Sequence, residues 1–474
     1  AKGAGVIEAK PRGHTLTGVE NQSSKYTVGL PADFPSWHRP LPFAYESTGV
    51  QTQFTNRLDP EPCSRQVFTF HRPEELLRLL ELDEQLRGRL QHMPPLLTER
   101  LWAVQVEAIL GLEKSLAHQD LRALIQMATG SGKTHTAASI AYRLIKFAKA
   151  KRILFLVDRN NLGKQTLNEF QAFQSPYLRL NFTEEYVVQH LHRNTIDPAA
   201  KVVITTIQRL YSMLKGEPEF AEENEDESLF EAESPLVNEP LPVVYNPAIP
   251  IETFDFIIID ECHRSIYNLW RQVLEYFDAF LIGLTATPSA HTIGFFSGNL
   301  VQDYSHERAV ADGVNVGFDV YRIRTAITEQ GATLTGEPGF FVPVRDRRTL
   351  KKRLQEQPNN LTYSAQQLNV DVVSMPQLRL VIKTFHDHLF TDIFPGRDVV
   401  PKTLVFARND LHADDIVKVI RETFGKGNDF CVKITCKTTG VTPETLLQQF
   451  RNSYLPRIAV TVDMIATGTD VKPI

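Results

Sequence analysis

Cysteine is scarce in this chain: Cys63, Cys262, Cys431 and Cys436 are the four in 474 residues. That excludes a disulfide-stapled secreted scaffold and fits a reducing, cytoplasmic setting. Four residues separate Cys431 from Cys436 and no second ligand pair lies nearby, so the pair does not read as a zinc site. Long hydrophobic runs are also missing. None approaches the ~20 residues that span a bilayer, and Ala1-Lys2-Gly3-Ala4-Gly5 does not open a signal peptide. No initiator methionine is present, so the chain reads as a fragment. Positive charge is in deficit, with a formal net charge of −5. The deficit is local. Nine acidic residues and no Lys or Arg lie between Glu217 and Glu233, which leaves +4 on the rest. The acidic segment, 216–235, reads as a solvated loop on a mildly basic body with room for a basic groove. Repeats at a solenoid period are absent as well.

What is present is alternation. The length suggests about two to four domains. From residue 98, apolar runs alternate with helical segments: Ala123–Ile125, Ile153–Val157, Val202–Ile204, Phe256–Ile259 and Phe280–Leu284. Unbroken apolar runs of this length are strands buried on both faces, as in parallel sheets, and their alternation with helices predicts a doubly wound α/β domain. A second set, Thr403–Ala407, Phe430–Ile434 and Ile458–Val462, begins another. Residues 61–97 read as a linker in which Pro73 opens a short helix. Residues 301–375 read as a connection with inserted structure.

Ala128-Thr129-Gly130-Ser131-Gly132-Lys133-Thr134 follows a predicted strand and opens a predicted helix. Glycines let backbone N–H groups approach a phosphate, and the helix N-terminus favours an anion. Lys133 would reach the β- and γ-phosphates of ATP, and Thr134 would ligate Mg²⁺. Met127 departs from the general pattern, which has glycine there. Asp260-Glu261-Cys262-His263 follows the Phe256–Ile259 strand, at the edge where open α/β sheets bind ligands. Asp260 suits a metal contact and Glu261 suits orientation of the attacking water, with His263 beside them. Thr285-Ala286-Thr287-Pro288 follows the next strand.

These motifs, in this order, resemble superfamily 2 helicases. Gln105 resembles the glutamine that reads adenine in such proteins. The segments Leu156–Leu162, Thr205–Leu210, Asp260–Tyr267, Lys402–Asn409 and Val460–Asp470 extend the resemblance to the R (restriction, motor) subunit of type I restriction-modification enzymes. It implies two RecA-like parallel-sheet motor domains, 98–300 and an incomplete 376–474. It also implies ATP-driven translocation on double-stranded DNA, coupled to cleavage, with modification and specificity subunits as partners in a prokaryotic cytoplasm. Asp158, Arg159, Thr205, Thr206, Arg408, Thr461 and Thr467 would lie on the DNA track, and Gly468 and Asp470 at the nucleotide. A superfamily 2 translocase of repair or remodelling without a nuclease is the alternative.

The same resemblance gives residues 1–60 a meaning. Glu8-Ala9-Lys10 resembles the E-x-K element of a PD-(D/E)xK nuclease, with Glu8 on Mg²⁺ and Lys10 on the attacking water; Gln22 and Tyr26 fit the accompanying Q-x-x-x-Y element. The family's metal-binding Asp would precede Glu8, and no Asp does. The family's arginine-finger motif would follow Ile474. The expectation is a fragment that binds ATP, turns it over weakly and does not cleave DNA.

Overall fold

The apolar runs fold as the central strands of one parallel sheet. In the computed structural model, residues 2–220, 242–265, 271–323, 332–334, 341–345, 352–356, 361–363, 375–435, 438 and 440–462 are described. Most of the acidic run and residues 463–474, with Thr467, Gly468 and Asp470, lie outside them. The chain forms two units, 1–317 and 318–474. In the first, strands β1 (Gly5–Ala9), β2 (Phe43–Ser47), β3 (Thr52–Asn56) and β4 (Arg65–Val67) form one sheet in that order. Strands β5 (Arg122–Met127), β6 (Ile153–Val157), β7 (Val187–His190), β8 (Ala200–Thr206), β9 (Phe256–Ile259), β10 (Phe280–Thr285) and β11 (Leu300–Tyr304) form the other. Its order is β11-β5-β10-β9-β6-β8-β7, with every pairing parallel.

Position in that sheet follows composition. The central strands β6, β9 and β10 are buried along their whole length, as their unbroken apolar sequences require. The edge strand β7 is partly exposed, and β11 carries Gln302 and Asp303. Parallel strands need crossovers, and helices supply them. Among the helices of this unit are α1 (Glu20–Val28), α2 (Pro73–Glu81), α3 (Leu86–Gln91), α4 (Ala103–Ala117), α5 (Lys133–Lys146) and α6 (Asn160–Ala172). Alanines 137, 138 and 141 on α5 are fully buried, so small side chains let that helix lie close in the core. A Cβ on Gly111 of α4 would lie 2.5 Å from the Val301 carbonyl oxygen, so α4 seats on β11 only because it has none.

The N-terminal sheet packs into the first unit rather than apart from it. β1 and β2 are parallel; β2, β3 and β4 are antiparallel. Phe43, Tyr45, Phe54 and Val67 share one apolar cluster with Leu124, Leu154 and Ile257 of the parallel sheet. Charged groups tie the same junction. Asp278, just before β10, accepts hydrogen bonds from Arg65 Nε and Nη2 at 2.7 and 2.8 Å and lies 2.9 Å from His71 Nε2. His71 Nδ1 meets the Tyr45 hydroxyl at 2.8 Å. Arg65 stacks on Phe54, and Arg87 of α3 stacks on Phe280. Burial opposes ionisation of Asp278, but Arg65 and His71 outweigh it and hold the carboxyl well below the usual carboxylate range. Residues 61–97 thus carry β4, α2 and α3, with Arg65, His71 and Arg87 turned inward.

The second unit holds a parallel sheet ordered β16 (Thr403–Phe406), β18 (Ile458–Thr461), β17 (Cys431–Lys433). Two antiparallel pairs precede it: β12 (Ala332–Leu334) with β15 (Leu361–Tyr363), and β13 (Phe341–Arg345) with β14 (Lys352–Glu356). The helix Asp410–Phe424 covers the parallel sheet with Ala413, Ile416 and Ile420. The Asn409 side chain caps its start, and Gly425, at φ +59°, ends it in the left-handed region.

Removing Asp278 takes away the two hydrogen bonds of buried Arg65 to a carboxylate and leaves it only the more distant Asp59, 3.8 Å from its Nη1. Asp278→Ala is expected to cost about 3–5 kcal/mol in chemical denaturation, whereas Arg78→Ala, at a partly exposed pair with Glu75, costs under about 1 kcal/mol. The depressed carboxyl contributes stability above its unfolded pKa that is lost as pH falls. Asp278→Asn should therefore flatten the acid limb of the stability profile, read as Tm against pH.

Candidate functional site

The phosphate loop is built by two left-handed glycines and one glutamine. β5 ends at Met127, and α5 starts at Lys133. Met127 is fully buried as the last residue of its strand, so the departure from glycine there falls in the core and not in the loop. Gly130 and Gly132 stand at φ +82° and +84°, where an L side chain is strained. A Cβ on Gly132 would also lie 2.3 Å from Gln105 Nε2. Gln105, buried on α4, donates to the Ser131 carbonyl at 3.3 Å and accepts from the Trp102 N–H at 3.0 Å. Ser131 Oγ donates back to the Ala128 carbonyl at 2.6 Å. Gln105 therefore braces the loop from outside. Thr129 and Gly130 are exposed, and Thr134 is half-buried at the first turn of α5.

The acidic motif closes on this loop. The Asp260 N–H bonds the Leu156 carbonyl at 2.9 Å, fixing the chain where β9 leaves the sheet. Glu261 turns at φ +45°, an uncommon conformation for a side-chain-bearing residue, and its Oε1 accepts from Lys133 Nζ at 2.7 Å. Its Oε2 is buried, without a hydrogen bond, 3.5 Å from His263 Nδ1. His263 Nδ1 meets Thr285 Oγ1 at 3.0 Å, linking the acidic motif to the end of β10. Burial pushes Asp260 up to about 6; Lys133 opposes the rise, and Glu261 and Asp158 add to it. A half-buried acid crowded by two others, a Lys held by one of them and an orphaned carboxylate oxygen form a donor set that fits a divalent cation with a polyphosphate. Cys262 is fully buried, and burial raises its thiol well above the usual range, so it serves packing.

Beside α5 lies a cavity of about 340 Å³, lined among others by Arg100, Leu101, His135, Ser139, Phe173 and Tyr177. None of its residues stood out in the sequence. The one available signal was that His135 directly follows Thr134. Asp158 and Arg159 leave the end of β6, and Thr205 and Thr206 close β8. All four are buried; Arg159 Nε lies 3.4 Å from Asp158, and Thr206 caps the helix Ile207–Leu214. Arg408 and Thr461 belong to the second unit, where Thr461 Oγ1 is buried without a hydrogen bond.

The N-terminal residues also assemble. Lys10 Nζ donates to Glu8 at 2.8 Å and to Gln22 Oε1 at 2.8 Å, and Gln22 Nε2 donates to the Tyr26 hydroxyl at 3.0 Å. Among the described residues no group of three His, Cys, Asp or Glu could hold a metal ion, so Glu8 offers one ligand and not a complete set.

The raised Asp260 sets a pH dependence. Between its unfolded value, about 4, and about 6, the folded chain binds the extra proton, so stability falls as pH rises. Asp260→Asn should remove that fall and raise stability at pH 7 by roughly 1–2 kcal/mol after solvent screening, with no gain at pH 4. Unfolding followed across pH checks this.

Residues 99–290 match the family described as Type III restriction enzyme, res subunit. The EcoKI endonuclease subunit of the type I restriction enzyme of Escherichia coli K12 is 27% identical, over 92% of this chain and 37% of that protein. The EcoAI endonuclease subunit of Escherichia coli is 29% identical, over 98% of this chain and 53% of that protein. The chain thus spans about a third to a half of these relatives. A fragment of an HsdR subunit from Vibrio vulnificus YJ016 aligns with a TM-score of 0.48 at 22% identity, over 98% of this chain and 72% of that one. The chain is thus similar over most of its length to endonuclease subunits of type I restriction enzymes, and over residues 99–290 to the restriction-enzyme res family.

Proposed function

We propose that the chain is the motor-bearing part of an R subunit, which hydrolyses ATP with Mg²⁺, translocates along double-stranded DNA and is coupled to endonucleolytic cleavage. The observation that carries this reading is the 2.7 Å pair between Lys133 and Glu261, with Asp260 beside it, at the C-terminal edge of an all-parallel sheet. The pair joins both halves of a hydrolytic site and leaves each residue a task. Lys133 exchanges Glu261 for the β- and γ-phosphates. Glu261, released, orients the attacking water. Asp260 and Thr134 would hold Mg²⁺, which would supply charge neutralisation at the phosphates. By the family resemblance, Gln105 is the residue that would read the base. His263 passes the state of Glu261 to Thr285.

By the family resemblance DNA runs along the same sheet edge, where Asp158, Arg159, Thr205 and Thr206, buried in this structure, shape the track, and phosphate contacts along it give grip without sequence reading. Arg408, Thr461, Thr467, Gly468 and Asp470 of the second unit complete the motor by family resemblance. Sequence choice belongs to the specificity subunit, and a modification subunit completes the assembly in the prokaryotic cytoplasm. Glu8, Lys10, Gln22 and Tyr26, already hydrogen-bonded to one another, form the cleaving site, with its remaining metal ligand supplied from outside the described residues.

In the full-length protein, Lys133→Ala should abolish DNA-stimulated ATP hydrolysis, and Glu261→Gln should bind ATP but lose at least about a hundredfold in turnover. Wild-type turnover in either variant sinks the motor reading. Glu8→Ala should end cleavage by the assembled enzyme and leave ATP hydrolysis intact; unchanged cleavage leaves a motor without a nuclease.

A further inference from the structure

We propose that Glu46 is a positioning residue for the nuclease site, holding α1 in register through Ser23 so that Gln22 meets Lys10. The proposal rests on the nuclease reading of Glu8 and Lys10. It starts from a peculiarity of α1. A helix lying on a sheet is ordinarily held by an apolar stripe, yet the fully buried residues of α1 are Ser23 and Thr27, while Tyr26 and Val28 are exposed. Hydrophobic burial therefore contributes little to its seat, and polar bonds must set its rotation.

Three side-chain bonds reach it from the sheet side, and the Leu41 N–H, just before β2, donates to the Thr27 carbonyl at 3.0 Å. Lys10 bonds Gln22, Arg57 Nη2 donates to Ser24 Oγ at 2.9 Å, and Ser23 Oγ donates to Glu46. The last is the one in which both partners are fully buried: Glu46 is 0% exposed and Ser23 1%. Water cannot replace it, so its loss would strand a buried hydroxyl.

Placement gives this bond its function. β1 and β2 pair in parallel with Glu8 opposite Glu46, so the two side chains project from the same face. Alternation along β2 sends Phe43 and Tyr45 to the opposite face, where they join the shared core. Glu46 thus lies on the α1 side, next to the strand that carries Glu8 and ends just before Lys10. Ser23 and Gln22 are consecutive on α1, so a helix fixed at Ser23 has its Gln22 fixed as well. Glu46 acts as an acceptor for Ser23, not as a ligand to the metal. Glutamine, which keeps an acceptor oxygen, should replace it; alanine should not.

The test combines two readouts. Amide hydrogen exchange of residues 20–28 reports the seat of α1 in this chain. DNA cleavage and ATP hydrolysis by the full-length protein in its complex report function. Glu46→Ala and Ser23→Ala should each lose protection of α1 and about tenfold or more in cleavage, with ATP hydrolysis unchanged, while Glu46→Gln keeps all three. Wild-type cleavage and protection in Glu46→Ala overturns the proposal. So does a Glu46→Gln protein that loses cleavage while α1 stays protected, since that outcome makes the carboxylate a metal ligand. Ser23→Ala probes the same bond from the helix side should Glu46→Ala fail to fold. If Glu8→Ala cleaves normally, the nuclease reading fails, and the exchange readout still decides the role of Glu46 on its own.

Discussion

The carboxylate of Asp278 is the constraint on which the first unit depends. It lies between a guanidinium and an imidazole, with little access to water, directly before the central strand β10. A charge in that position is tolerable only when paired and hydrogen-bonded. Arg65, His71 and Tyr45 must therefore sit where they do, and with them β2, β4 and the segment between β4 and α2. The N-terminal sheet cannot swing freely, because movement would expose its share of a common apolar core and part Asp278 from Arg65 and His71. The N-terminal sheet and the seven-stranded parallel sheet consequently share one unit.

β10 is also held at both ends by side chains from other segments. Its start is pinned by Asp278, and its end carries Thr285, which His263 bonds. Beside it, β9 ends in Asp260 and Glu261. Adjacent parallel strands deliver their C-terminal ends to one edge, so residues far apart in sequence meet there without any loop having to reach. The left-handed turn at Glu261 is a local strain of the kind that gathers at functional sites. Here it brings the carboxylate to Lys133.

Much of this was legible beforehand, for a physical reason. Strands buried on both faces must be apolar throughout, so β6, β9 and β10 announce themselves, and the glycines of the phosphate loop mark a conformation other residues resist. β11 was harder to see. As an edge strand it mixes Leu300 and Val301 with Gln302 and Asp303, and nothing in that run separates it from a loop. Polar residues turned inward were harder still. Asp278, Arg65 and His71 look like surface residues in sequence, because their partners lie at distant positions. The same holds for Glu46, whose significance comes from facing Glu8 across β1 and β2 and Ser23 on α1. The cavity beside His135 belongs to this group too, since its walls come from three separated segments.

The sequence by itself determined the local patterns: a glycine-rich turn before a helix, and acids after an apolar strand. Tertiary structure alone decided which groups touch: Lys133 with Glu261, His263 with Thr285, Gln105 with the loop, Asp278 with Arg65, and Glu46 with Ser23. Local motifs depend on backbone conformation, which neighbouring residues set. Buried ion pairs and hydrogen bonds depend on two distant segments losing water together, and only the packed chain fixes that.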